Sequence, residues 1–96
     1  MNICEIRPGM ENVDIEGNIV DKNSFMMLIK DKTGQIFFRY RKKFTPRVQW
    51  QKIRYGLNIG NKVKITNADA VNYGGIFQLT LSRKGQVALI SQLASF

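Results

Sequence analysis

The chain has 96 residues, 44% of them apolar, and a formal charge of +8 from 15 Lys or Arg against 7 Asp or Glu. A chain of this length has room for one core, so residues 1–96 are expected to form one domain with terminal segments at about 1–8 and 91–96, burying roughly 60% or more of its unfolded surface. Lone Cys4 excludes an internal disulfide, the absence of His excludes a Cys and His zinc site, and the apolar run at residues 25–29 is too short for a membrane span or an export signal.

Val13, Ile15, Gly17 and Ile19 alternate with Asn12, Asp14, Glu16 and Asn18, which predicts a half-buried first strand. A short connection around Asp21, Lys22 and Asn23 leads to a second strand from Ser24 to Lys30, with Phe25, Met27 and Ile29 on one face. Turn chemistry follows from Asp31 to Gln35, because Asp bonds its local backbone and Gly34 relaxes the steric limits. A third strand from Gln35 to Arg41 then puts Ile36, Phe38 and Tyr40 toward the core and Phe37, Arg39 and Arg41 outward.

Thr45 and Pro46 predict a helix start, with Thr45 as cap and Pro46 in the first turn, and Gly56 predicts the stop. Trp50, Ile53 and Leu57 form a stripe suited to plugging one end of a small barrel, while Arg47, Lys52 and Arg54 mostly face water. Residues 61–67 predict a fourth strand with Val63 and Ile65 inward, and Tyr73, Gly74 and Gly75 a turn. Ile76 to Leu81 predict a fifth strand, with Phe77, Leu79 and Leu81 on one face and Gln78 and Thr80 on the other, and Gln86 to Ile90 a short closing strand. Five strands with one helix between the third and fourth predict an all-β, five-stranded Greek-key barrel of the OB type. An SH3-like barrel is the alternative, disfavoured by the position of the helix.

Charge is distributed unevenly: five of the seven acids lie within residues 5–21, whereas residues 32–68 hold no acid and ten basic residues. Such a field concentrates phosphate near one region of a surface, so nucleic acid is the first partner class. Catalysis is not expected. No His is present, and Glu5, Glu11, Asp14 and Glu16 show no metal-binding pattern beyond strand alternation.

Three sequence words add a family resemblance: IRPGMENVDIEGNIVD at 6–21, IKDKTGQI at 29–36 and IGNKVKITNADAVNYGGIFQLTLSR at 59–83. In this order they resemble the OB domain of archaeal and eukaryotic single-stranded DNA-binding proteins related to replication protein A. The resemblance implies a fold that binds single strands across strands two and three and their flanking loops, with aromatic side chains stacked on bases. Tyr73 matches a family aromatic and is the leading stacking candidate. Three further family aromatics fall on Arg41, Asp69 and Thr80, so the usual platform is depleted. Phe37, with Arg39 and Arg41 on the same outer face, is the expected compensation, since Arg stacks on bases as well as binding phosphate.

The expected nucleic-acid-binding residues are therefore Phe37, Arg39, Arg41, Lys42, Lys43, Arg47, Tyr73, Arg83 and Lys84. The expected role is a non-catalytic intracellular protein, cytoplasmic or nucleoid-associated and archaeal or viral-like, that coats or protects single-stranded DNA in replication, repair or recombination. No metal, cofactor or membrane partner is expected. Replication or repair proteins are further candidate partners, and the alternatives are an RNA-binding OB module or a protein-interaction subunit of a nucleoprotein complex.

Overall fold

A computed structural model describes residues 1–91 of the chain, without the side chain of Ser91. Five strands close into one barrel: β1 (Val13–Lys22), β2 (Met26–Asp31), β3 (Gly34–Arg39), β4 (Lys62–Tyr73) and β5 (Ile76–Ser91), in the spatial order β1-β2-β3-β5-β4. A single α-helix, α1 (Arg47–Gly56), connects β3 to β4. This is the expected Greek-key barrel. All neighbours are antiparallel except β3 and β5, which run parallel with Phe37 opposite Gln78 and Arg39 opposite Thr80.

Alternation explains the core. Ile15, Ile19, Met27, Ile29, Ile36, Phe38, Tyr40, Val63, Ile65 and Leu79 are all buried, on the side that period-two reading assigns to them. Gly17 occupies the inward series because the barrel wall leaves no room there. A Cβ at Gly17 would lie 2.7 Å from Ile29 Cγ2 and 2.8 Å from the Lys30 carbonyl oxygen. Ile53 of α1 and Leu57, the residue that follows the helix, close one end of the barrel, with Trp50 packed at its margin.

Several local expectations are corrected. Phe25 does not share the inner face with Met27 and Ile29 but is 39% exposed and precedes β2. The cause is Asn23, whose Oδ1 accepts from the amides of Phe25 at 3.0 Å and Met26 at 2.9 Å and bends residues 23–25 into the turn. Asp21 and Lys22, expected in that connection, remain in β1 and pair with Leu28 and Met27 after a bulge. β3 ends at Arg39, two residues early, although Tyr40 is buried and its amide donates to the Phe25 carbonyl at 2.9 Å.

Thr45 makes no cap: Pro46 occupies the N-cap position and no side chain bonds the first turn of α1. The helix is anchored at its other end, where the Lys22 ammonium donates to the carbonyls of Ile53 at 2.7 Å and of Leu57. A cation against free C-terminal carbonyls satisfies them and complements the helix dipole. Burial, with Arg54 nearby, pulls the Lys22 ammonium below its ordinary pKa. Burial also pushes the Tyr40 phenol up, and its hydroxyl donates to the Asn23 carbonyl.

The fourth strand extends six residues beyond the expected end at Asn67, and the separate fifth and closing strands are one continuous β5. A register shift between Thr66 and Ala68, with Asn67 at φ 54°, bends the long hairpin in the middle. Gly85 sits against that bend, where a Cβ would approach Leu81 Cδ2 to 2.7 Å.

The first residues join the barrel too. A 3₁₀ turn at Ile3–Glu5 buries Ile3, Ile6 is buried beside it, and the Ile3 amide donates to Asp31 Oδ2 at 2.9 Å. Burial raises the Asp31 carboxyl, but hydrogen bonds from the Thr33 hydroxyl and the amides of Ile3, Thr33 and Gly34 outweigh it and hold the group below its ordinary value. The expected segment at 91–96 lies, apart from the backbone of Ser91, outside the described residues.

Candidate nucleic-acid interface

Strand pairing brings distant residues into two parallel rows on the outside of the barrel. Leu28, Phe37, Gln78 and Val71 are successive neighbours across β2, β3, β5 and β4, and Met26, Arg39, Thr80 and Asp69 form the next row. The parallel β3–β5 pairing makes this one face. It places Phe37 and Arg39 beside residues some forty positions away in the chain.

Tyr73 ends β4 immediately before the Gly74–Gly75 turn, where both glycines have positive φ, 61° and 81°. Tyr73 is 63% exposed, and the Arg39 guanidinium carbon rests 4.6 Å from its ring centroid. Phe37 is 40% exposed in the neighbouring row. A depression of about 300 Å³ is lined by Arg39, Arg41, Phe44, Val71, Tyr73 and Gln78. A second, of about 370 Å³, runs from Phe37 to Leu28 and Ile76. Together they give a surface of ring faces and guanidinium groups, able to stack flat aromatic ligands and hold anions.

Cations rest on other rings around this face, two of them exposed and the third, Trp50, partly buried. The Arg41 guanidinium carbon lies 5.5 Å from the Phe25 ring centroid, Lys42 Nζ 5.0 Å from Trp50 and Lys43 Nζ 5.8 Å from Phe44. Each such contact contributes about 0.5–1 kcal/mol at exposed sites, so the side chains are placed without being locked. An incoming ligand can exchange them at small cost.

Of the nine expected binding residues, the structure gathers Phe37, Arg39, Arg41 and Tyr73 on this face, with Lys42 and Lys43 exposed in the turn beyond it. Arg47 is exposed at the start of α1, and Arg83 and Lys84 are exposed along β5. None of these three lines the depression around Tyr73. Sequence reasoning missed Gln78, Val71 and Phe44 as lining residues. The signal for the first was its outward parity beside Thr80, and for Phe44 its place next to the Lys42–Lys43 pair.

A larger depression lies elsewhere, about 590 Å³ over β1, between Asp14, Glu16, Lys30, Lys62 and Lys64. It mixes carboxylates with amines and holds no aromatic ring, so it offers neither a stacking platform nor a one-sign field for phosphate. Among the described residues no group of three His, Cys, Asp or Glu converges to hold a metal ion, and no helix is long and apolar enough to cross a membrane.

No family model matches the sequence, and no curated protein matches it. Solved structures do. A replication factor A related protein from Methanobacterium thermoautotrophicum superposes with a TM-score of 0.74 at 15% identity, covering 99% of this chain and 94% of that one. The OB domain of MM0293 from Methanosarcina mazei gives 0.66 at 17% identity, covering 95% and 83%. The tetrameric p202 HIN2 gives 0.68 at 17% identity, covering 94% of this chain and 48% of that one. The barrel is an OB fold.

Proposed function

We propose that this OB barrel binds single-stranded DNA without catalysis, coating or protecting it in replication, repair or recombination. The observation that carries the reading is the convergence of exposed Tyr73 and Phe37 with Arg39 and Arg41 on one barrel face. Single strands need ring faces for unpaired bases and cations that track phosphate, and both are present within one groove. The likeness to a replication factor A related protein supports the same reading. Arg41, Lys42 and Lys43, beyond the end of β3, extend the cationic track from the groove toward α1.

A salt titration tests it. If about five phosphates are neutralised, log affinity for a thymine oligomer falls against log salt with a slope of roughly −3.5. Weak salt dependence with no preference for single strands over duplex would refute the proposal. Matched RNA and DNA oligomers then separate the two polymers, because the 2′-hydroxyl is the group that differs.

A protein-docking role is the second reading, favoured by Val48 and Tyr55, which α1 leaves 69% and 74% exposed. It predicts that oligomers leave those residues and the β3 face undisturbed.

A further inference from the structure

Gln78 is the one outward-facing residue of the aromatic face that is buried, at 1% exposure. Its amide orientation is fixed: Nε2 donates to the carbonyls of Tyr73 at 3.3 Å and Ile76 at 3.1 Å, and those oxygens can only accept. Oε1 therefore lies on the other side of the amide group, and it is buried with no hydrogen-bond partner. Among the described residues it is the one buried side-chain polar atom left so. An orphaned buried acceptor costs stability. Gln78 lines the depression of about 300 Å³ beside Tyr73, which makes its unpaired acceptor a recognition element waiting for a donor.

Arg39 lines the same depression and holds the Tyr73 ring face only by a cation–π contact. We propose that a base displaces Arg39 from Tyr73, stacks on the ring, and donates a hydrogen bond from its exocyclic amino group to Gln78 Oε1. The site then reads one base position within an otherwise sequence-tolerant groove, preferring an amino-bearing base to thymine. Cytosine, adenine and guanine each carry an exocyclic amine that projects beyond the ring. Thymine has none. Its single ring N–H lies between two carbonyl oxygens, which would be driven against Oε1. The displaced guanidinium is free to meet the adjoining phosphate or the other face of the base.

This inference rests on the single-strand reading above, and its test separates the two. Affinities are measured at fixed salt, and at a pH where cytosine is uncharged, for equal-length homopolymers of cytosine, of thymine and of cytosine whose exocyclic amine is dimethylated. The wild-type protein is expected to bind unmodified cytosine about tenfold more tightly than either of the others, the effect of one buried hydrogen bond. Gln78→Met, similar in length but without the amide, is expected to bind all three alike. Equal wild-type affinity for cytosine and dimethylated cytosine overturns the assignment while leaving single-strand binding intact, and needs no variant to fold. A preference that survives in Gln78→Met also overturns it. Failure to bind any of the oligomers removes both proposals.

Discussion

Replacing Tyr73 with Ala is expected to weaken binding to a single-stranded oligomer by about 1–3 kcal/mol, or roughly 5- to 150-fold, the usual value of one base–aromatic stack. Tyr73 is mostly exposed, and its backbone carbonyl, which holds Gln78, is untouched by the change. The fold should therefore survive. Phe37→Ala removes a second exposed ring from the neighbouring row and is expected to add a loss of similar size. Fluorescence anisotropy with a labelled oligomer measures both, and a thermal melt of each variant confirms that the barrel is intact. Unchanged affinity in the double variant would show that the aromatic face is not where bases stack.

The largest stability loss is expected at Gly17. Its missing Cβ would sit 2.7 Å from Ile29 Cγ2 and 2.8 Å from the Lys30 carbonyl, contacts that a real side chain cannot keep. The second atom belongs to the backbone of β2, which is held by its pairing to β3, so the clash cannot be relieved by a rotamer change. Gly17→Ala should cost about 3 kcal/mol, the upper part of the range for overpacking. For a chain of this size each kcal/mol lowers Tm by roughly 4–8 °C, which puts the expected fall above about 12 °C. Gly56→Ala is the control. It has open space around the Cβ position at the end of α1, so the change should be neutral or stabilising by up to about 1 kcal/mol. A Tm unaffected by Gly17→Ala would mean that β1 and β2 are further apart than described.

Legibility in the sequence followed the range of each interaction. Val13 to Ile19, Met27 with Ile29, and Ile36 to Tyr40 announced their faces because alternation is a local property with one strong consequence, burial. Phe25 broke the rule because Asn23, two residues earlier, preferred its own backbone hydrogen bonds to continuing the strand. The length of β4 and β5 was hidden by the bend at Asn67 and Gly85, where a register shift interrupts the alternation without ending the pairing.

For the interface, each side chain was legible and their meeting was not. Phe37, Arg39 and Tyr73 could be picked out as outward or turn residues, but their convergence depends on the parallel pairing of β3 with β5, which no local pattern encodes. Gln78 shows the limit most clearly. Parity put it outward, where a Gln is normally solvated, and only the turn carbonyls of Tyr73 and Ile76 explain how its amide is drawn under cover. Burial of a polar side chain on an outer face is a tertiary effect.

Where a single strand lies on the barrel is read most directly from amide and side-chain chemical shifts of isotope-labelled protein titrated with an oligomer. Shifts are expected at Phe37, Arg39, Tyr73, Gln78 and Thr80, with Asp14, Glu16 and Lys64 on the β1 side unmoved. Perturbation confined to the β1 depression, or none at saturating oligomer, would contradict the assignment of the β3–β5–β4 face as the binding surface.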